Sequence, residues 1–462
     1  MTKKKVSKLT DGLNKEQTVA YKNITDWLGT ISNDMWLLEG YAGTGKTFLL
    51  KRILLNALMR NPKNKIAVVA PTNKAVKVAK EICNIDSTKI SFLTVHKLLG
   101  LKEKIMDDGR QVFERDSYIH GPDISSFSLV VVDETSMLND DLYTELENYR
   151  NNVKILFIGD PAQIPPVGKE DSIPFDQATQ ASRGIKVVRL TEIMRQATEN
   201  PIISHSMLIR NNLESFSPIK EYKTVYNTDK GIIYYNTNNI EDRGKLTPLL
   251  KELFDSDSFR LDPDHAKVIA WRNVTVESFN ILIRTILYGK DAPKIIIGEK
   301  LIADKPIINK EEIVFSTNDE FQVISYEKKI REFGDPLNPV VLEYYYTVVE
   351  KEEEGIPVRK TIRILHENSE EDFELVLDGL KRKAIKERDK KIWKEYYNFL
   401  REFADVLPNL AITAHKSQGS TYKNVIIIED DLDYNKNIVE RNRIKYTAYT
   451  RPSTNLYILK RS

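Results

Sequence analysis

Apolar positions along the chain gather into short runs separated by longer amphipathic stretches. Met35 to Gly40, Ile66 to Ala70, Leu129 to Val132, Ile155 to Ile158 and Val187 to Leu190 each read as a short buried strand. Polar or helix-periodic segments lie between them, and Thr47 to Leu58 is the first clear helix. Strands alternating with helices predict a parallel sheet covered on both faces, because parallel neighbours need crossover connections. Similar runs return at Val268 to Trp271, Val425 to Ile428 and Asn455 to Leu459. Between the first two of these the texture changes. Residues 320–327, 340–350 and 357–366 are β-rich with partial alternation, and a turn is expected near Glu354 and Gly355. They predict a small antiparallel barrel. Residues 369–405 are charged, lack Pro and contain one Gly, which predicts one or two long helices. A second α/β unit is thus interrupted by an insertion. A smaller insertion at 102–106 and 111–115, around the polar tip Asp107-Asp108-Gly109-Arg110, predicts a β-hairpin.

At 462 residues the chain exceeds one ordinary core and predicts two to four domains. Its single cysteine, Cys83, excludes an internal disulfide and a cysteine zinc cluster, and a reducing cytoplasmic setting is expected. No apolar run reaches eighteen residues, so no membrane span is expected. The basic stretch Met1 to Lys8 is not followed by an apolar core and is not expected to be a secretory signal. Formal net charge is only +2, so any nucleic-acid track must be local.

One segment carries specific chemistry. Gly40-Tyr41-Ala42-Gly43-Thr44-Gly45-Lys46-Thr47 is a complete G-x-x-x-x-G-K-T, placed after a predicted strand and opening a predicted helix. Glycines let the backbone curl so that its N–H groups surround phosphates, and the helix N-terminus adds positive potential. In that setting Lys46 reaches the β- and γ-phosphates of ATP and Thr47 binds Mg2+. Val130-Val131-Val132-Asp133-Glu134 ends a buried strand in two carboxylates. Alone, such a pair is an ordinary solvated strand end. Beside a P-loop, Asp133 is expected to hold magnesium and Glu134 to act as general base on water. Ile158 to Gln163 is a third strand-to-loop junction; Gln163 there is a surface amide or a γ-phosphate sensor.

The order of segments resembles that of superfamily-one helicases of the RecD-like branch. The resemblance rests on Lys15-Glu16-Gln17, Gly40 to Thr47, Ala70-Pro71-Thr72, Thr94-Val95-His96, Asp133-Glu134, Gly159 to Gln163, Met194-Arg195, Ala414 to Gly419 and Tyr449-Thr450-Arg451. These segments span nearly the whole chain. Gly-Asp-Pro-Ala-Gln, His-Lys-Ser-Gln-Gly and Tyr-Thr-Arg are its most specific parts. The P-loop alone marks only an NTPase.

The resemblance implies two RecA-like parallel-sheet motor domains. The first, 1–190, would carry the hairpin insertion 101–123. The second, 191–288 with 410–462, would enclose an inserted β-barrel and helical tower at 289–409. Gln17 would read the adenine edge, Gln163 the γ-phosphate, and Arg195 and Arg451 would reach the γ-phosphate from the second domain. Thr72, Asn73, Thr94 and His96 in the first domain, and Asn273, Thr413, His415, Lys416 and Gln418 in the second, would line a single DNA strand. Phe113 would stack on the last base pair as a wedge. The implied activity is ATP-driven 5′-to-3′ translocation on single-stranded DNA with unwinding of forks. Replisome and single-strand-binding proteins are candidate partners. A monomer is expected, because both halves of the ATP site lie in one chain.

Two other readings fit the same motifs. One is an RNA-directed helicase of the same superfamily, which differs in tolerating the 2′-hydroxyl. The other is a P-loop switch without motor action, against which the two separated arginines speak.

Overall fold

The computed structural model describes residues 9–32, 34–85, 88–105, 111–115, 123–194, 200–227, 230–309, 312–335, 338–353 and 356–461. Arg195, the hairpin tip Asp107 to Arg110, the turn at Glu354 and Gly355, and Met1 to Lys8 lie outside these residues.

The first half contains β1 (Met35–Gly40), β2 (Ile66–Ala70), β3 (Ile90–Thr94), β4 (Leu101–Ile105), β5 (Gln111–Arg115), β6 (Leu129–Val132), β7 (Lys154–Gly159) and β8 (Ile185–Leu190). Six of them form one sheet in the order β3-β2-β6-β7-β1-β8. Every pairing in it is parallel. Helices cover both faces, as continuous apolar strands require. Leu38, Val68 and Val131 point into one buried cluster, and Leu37, Val69 and Val132 into the other. β4 and β5 form a separate antiparallel hairpin with Glu103 opposite Phe113.

The strands of the second half begin with β9 (Val225–Tyr226), β10 (Gly231–Asn236) and β11 (Ala266–Ala270), after the helix Pro201–Arg210. The chain then leaves this sheet for β12 (Lys300–Ala303), β13 (Ile307–Asn309), β14 (Glu312–Phe315), β15 (Glu320–Asp335), β16 (Asn338–Glu353), β17 (Ile356–Leu365) and β18 (Val406–Pro408). It returns through β19 (Ala411–Thr413), β20 (Tyr422–Ile428) and β21 (Pro452–Lys460). The second sheet has the order β19-β11-β20-β21-β10-β9, parallel except for the short edge pair β10–β9.

The inserted strands form a five-stranded antiparallel sheet, β17-β16-β15-β12-β18. Its edges approach one another: the Ala404 N–H, just before β18, donates to the Arg363 carbonyl of β17 at 2.6 Å. The barrel expected from sequence is therefore an open sheet whose edges share a main-chain bond, filled by Leu301, Phe321, Val349 and Ile364. The helices Glu370–Glu387 and Lys390–Leu400 lean on the distal part of β15 and β16, where Phe333, Tyr344, Phe373 and Phe403 pack together. Among the described residues no helix is long and apolar enough to cross a membrane.

Candidate functional site

β6, β7 and β1 are neighbours in the first sheet, so their C-terminal ends open at one edge. Asp133 follows β6, Asp160 follows β7 and the P-loop follows β1. Parallel pairing thus assembles the three sequence motifs on one ledge, the usual ligand position of such sheets.

Gly43 and Gly45 hold φ of +80° and +77°, a region costly for other residues. A Cβ on Gly45 would also sit 2.6 Å from Gln17 Nε2. The helix Lys46–Arg60 starts directly after Gly45. Lys46 Nζ donates to the carbonyls of Gly40 (2.7 Å) and Tyr41 (3.1 Å). The Thr44 hydroxyl donates to the Tyr41 carbonyl at 2.8 Å. Gln17 is fully buried above the loop, and its Nε2 donates to the Thr44 carbonyl at 2.8 Å. A capping box with Asn14 fixes the Gln17 backbone and side chain together. Adjacent Glu16 accepts from the N–H groups of Thr191 and Glu192, which ties the segment leaving β8 to the nucleotide ledge.

Asp133 accepts from the Glu134 N–H at 2.9 Å. Burial first, and then the neighbouring Glu134 charge, push its pKa well above the usual carboxylate range. That is the signature of a carboxylate short of positive charge, and a divalent cation fits it. Glu134 adopts a left-handed backbone with φ of +51°. Such a conformation in a residue with a Cβ costs on the order of 1–3 kcal/mol and concentrates at functional sites. Gln163 is 6% exposed and its buried Oε1 has no hydrogen-bond partner.

The second half reaches this ledge through the helix Ile438–Tyr449 with the turn after it, and through the end of the helix Pro201–Arg210. Tyr446, near the end of the helix Ile438–Tyr449, accepts from the Ala42 N–H at 3.1 Å and donates to Asp160 Oδ2 at 2.6 Å. Thr447 Oγ1 accepts from the Ile164 N–H. Arg451 is buried and donates to the carbonyls of Thr447 (2.8 Å) and Ser420 (3.1 Å). Burial lowers its pKa, and the Glu134 charge across the cleft opposes that shift. Arg210, ending the helix Pro201–Arg210, stacks on the Tyr41 ring at 3.3 Å and lies 3.7 Å from Asp160 Oδ1. Tyr446, Arg210 and Asp160 carry no role in the sequence reading. Their signal is spatial: Ala42 and Tyr446 are 404 positions apart.

The expected strand contacts form a second group. Thr72 and Thr94 cap the helices Asn73–Cys83 and Val95–Leu99, so their side-chain oxygens already accept from Ala75 and Lys97. Burial lowers the pKa of His96 and of His415, so both imidazoles are neutral near pH 7. The His96 ring packs against Phe113 at a tilt of 33° with centroids 4.2 Å apart, while Phe113 remains 43% exposed. Arg115 anchors the hairpin base on Glu145 at 2.5 Å. Asn273 is exposed at the first turn of the helix Asn273–Tyr288.

The inserted sheet grips several of these elements through carboxylates. Asn73 Nδ2 donates to Asp319 (3.1 Å), and Lys416 pairs with Asp304 (2.7 Å). Lys74 Nζ pairs with Glu320 (2.8 Å) and Asp264 (3.2 Å). Two lysines nearby, Lys74 and the buried Lys267, hold the Glu320 carboxyl at about 2 against the opposing effect of its own burial. The loop from Ala414 to Ser420 runs from this insert contact to the nucleotide ledge. Thr413 Oγ1 accepts from the Lys416 N–H near its start, Gln418 donates to the Ile164 carbonyl, and Ser420 accepts from Arg451.

Comparison with known proteins agrees with this geometry. Residues 12–228 match the AAA domain family, and residues 409–459 match the UvrD-like helicase C-terminal domain. The ATP-dependent DNA helicase Dda of Enterobacteria phage T4 is 22% identical over 90% of this chain and 92% of its own length. RecBCD subunit RecD of Buchnera aphidicola (strain Sg) is 24% identical over 93% of this chain and 71% of its own. Uncharacterized protein R530 of Acanthamoeba polyphaga mimivirus is 26% identical over 96% and 99%. The motif order, the paired sheets and these comparisons agree: the chain carries an AAA domain and a UvrD-like helicase C-terminal domain, and over nearly its whole length it is similar to DNA helicases of the RecD-like branch.

Proposed function

We propose that this enzyme moves 5′ to 3′ along single-stranded DNA and parts a fork with the β4–β5 hairpin. The observation that carries the motor reading is the split site. Lys46, Asp133, Glu134 and Gln163 stand on the first sheet's ledge, whereas Arg451 is delivered by the second half. Hydrolysis then depends on cleft closure, and nucleotide state sets the closure equilibrium. Gln17 selects adenine, and Gln163, with its unpartnered buried oxygen, meets the γ-phosphate. Arg195 is assigned beside Arg451 from its motif alone. Mg2+ would be held by Asp133 and Thr47. Among the described residues no cluster of three or more His, Cys, Asp or Glu forms a metal site, so phosphate oxygens would complete the ion's shell. When bound, the ion neutralises charge on the phosphates. Glu134 orients water and accepts its proton.

The motor units are 1–190 and 191–288 with 410–462, and 289–409 is the insert. The DNA strand runs past Thr72, Asn73, Thr94 and His96, then Asn273, Thr413, His415, Lys416 and Gln418. Neutral imidazoles, hydroxyls and amides suit phosphate contacts that slide. Asn73 and Lys416 are held by insert carboxylates in this conformation, so strand entry exchanges Asp319 and Asp304 for phosphates. Forked DNA is the substrate, replisome and single-strand-binding proteins are candidate partners, and the monomer is the active unit.

The wedge reading has a magnitude. One base–aromatic stack contributes about 1–3 kcal/mol, and opening one base pair costs about 1.4 kcal/mol on average. A single exposed ring on a braced hairpin can therefore offset one opened pair. Phe113→Ala is expected to slow unwinding of a 5′-tailed duplex by about tenfold, one stack's worth, while single-strand-stimulated ATP turnover stays within about twofold. The assay uses duplexes with 5′ or 3′ tails. Unwinding confined to 3′ tails would sink the polarity, and full-speed unwinding by the variant would sink the wedge.

A further inference from the structure

The P-loop is held from the other side of the cleft by two groups that meet on one carboxylate. Tyr446 is fully buried, and its hydroxyl takes the Ala42 N–H while giving its own proton to Asp160 Oδ2. Asp160 is fully buried too, and its Oδ1 accepts from the Ala162 N–H at 3.0 Å. Arg210 stacks its guanidinium on the ring of Tyr41, the residue before Ala42, and its buried Nε has no hydrogen-bond partner. Residues 41 and 42 of the loop are thus both engaged by second-half side chains.

We infer that Tyr446 and Arg210 are positioning residues that sense nucleotide occupancy, with the Tyr446 hydroxyl standing in for a phosphate oxygen at the Ala42 amide. The inference rests on the P-loop reading and extends it. A P-loop amide is a donor aimed at anionic oxygen, and a phosphate is a stronger acceptor than a phenol. Arrival of the triphosphate therefore takes the Ala42 N–H from Tyr446. The phenol keeps Asp160 as acceptor, so its proton is never orphaned. Tyr446, Thr447 and Arg451 lie on one helix end and the turn after it, and Thr447 and Arg451 also hold Ile164 and Ser420. Losing the Ala42 bond consequently removes one tie on the segment that carries the finger, while the Tyr446–Asp160 and Thr447–Ile164 bonds remain. Arg210 keeps the loop facing this helix in the nucleotide-free enzyme.

Tyr446→Phe preserves the ring and removes only the hydroxyl. Without DNA, the full-length variant is expected to bind ADP and a non-hydrolysable ATP analogue about three- to tenfold more tightly by calorimetry, because one competing hydrogen bond is gone. Stimulation of kcat by single-stranded DNA is expected to fall about tenfold, since closure no longer depends on releasing that bond. A merely structural tyrosine would weaken nucleotide binding instead. Unchanged or weaker affinity overturns the inference, as does tighter binding with normal stimulation. If Tyr446→Phe does not fold, Arg210→Lys, which keeps charge but loses the stack, is judged by the same two readouts. Wild-type enzyme that binds no ATP contradicts the P-loop reading itself, whereas normal wild-type binding with an unaltered variant removes this inference alone.

Discussion

Arg451→Ala is expected to lower DNA-stimulated ATP turnover by about three powers of ten or more, the range of an arginine finger. Nucleotide affinity should stay within a few-fold, because the Lys46 loop remains intact. The argument starts from position. Arg451 is the described arginine that follows the helix bearing Tyr446, and the Glu134 charge acts on it across the cleft. In this conformation its donors are occupied by the Thr447 and Ser420 carbonyls and by Thr450 Oγ1. Removal takes the Arg451 donor from the Ser420 carbonyl, at a cost of about 1–3 kcal/mol, while the Thr447 carbonyl keeps the Thr450 hydroxyl, so a structural loss would accompany the catalytic one. Arg451→Lys separates them. A lysine restores part of the packing but not the planar fork, so stability should recover more than turnover. Single-turnover hydrolysis and a melting curve on both variants make the comparison. Turnover in Arg451→Ala within tenfold of wild type contradicts the finger.

The second large effect is Glu134→Gln. Removing a positioned general base typically costs about two to four powers of ten in rate. Gln is chosen because the left-handed backbone at this position is already strained, and an isosteric side chain leaves that geometry undisturbed. ATP binding should persist or strengthen, since one negative charge beside the phosphates is lost. The variant should consequently trap the ATP-bound form on single-stranded DNA. Hydrolysis at a near-normal rate would show that water is activated elsewhere.

Much of the nucleotide ledge was legible because its residues are local in sequence. A strand of Val and Leu, a glycine loop and a helix start sit within Met35 to Leu58, and chemistry and fold point the same way there. The same holds for Val130 to Glu134. Strand limits were less legible where burial is partial. β3, Ile90–Thr94, is buried only at Ile90, and β10 mixes buried Ile232 with half-buried Tyr234 and Tyr235, so neither stood out as an apolar run. β15 and β16 extend to sixteen residues each, well past the alternating stretch. There Lys328 pairs opposite Tyr345 and Lys329 opposite Tyr344, and the burial of Leu342 and Tyr344 is supplied by the distant helices Glu370–Glu387 and Lys390–Leu400, which alternation along the strand does not announce. The cross-cleft set was not legible. Nothing near Tyr446 announces Ala42, and nothing near Lys416 or Asn73 announces Asp304 or Asp319. Tyr446 meets Ala42 only once the two sheets face each other, and Asp304 and Asp319 reach Lys416 and Asn73 only once the inserted sheet packs against both.

The central claim is that nucleic acid drives the ATP cycle of this enzyme. Its most direct test is steady-state ATP turnover with and without single-stranded DNA, beside a Lys46→Ala control. Strong stimulation by DNA, abolished by the substitution, is the predicted result. Turnover by the wild-type enzyme that single-stranded DNA leaves unchanged would contradict the account.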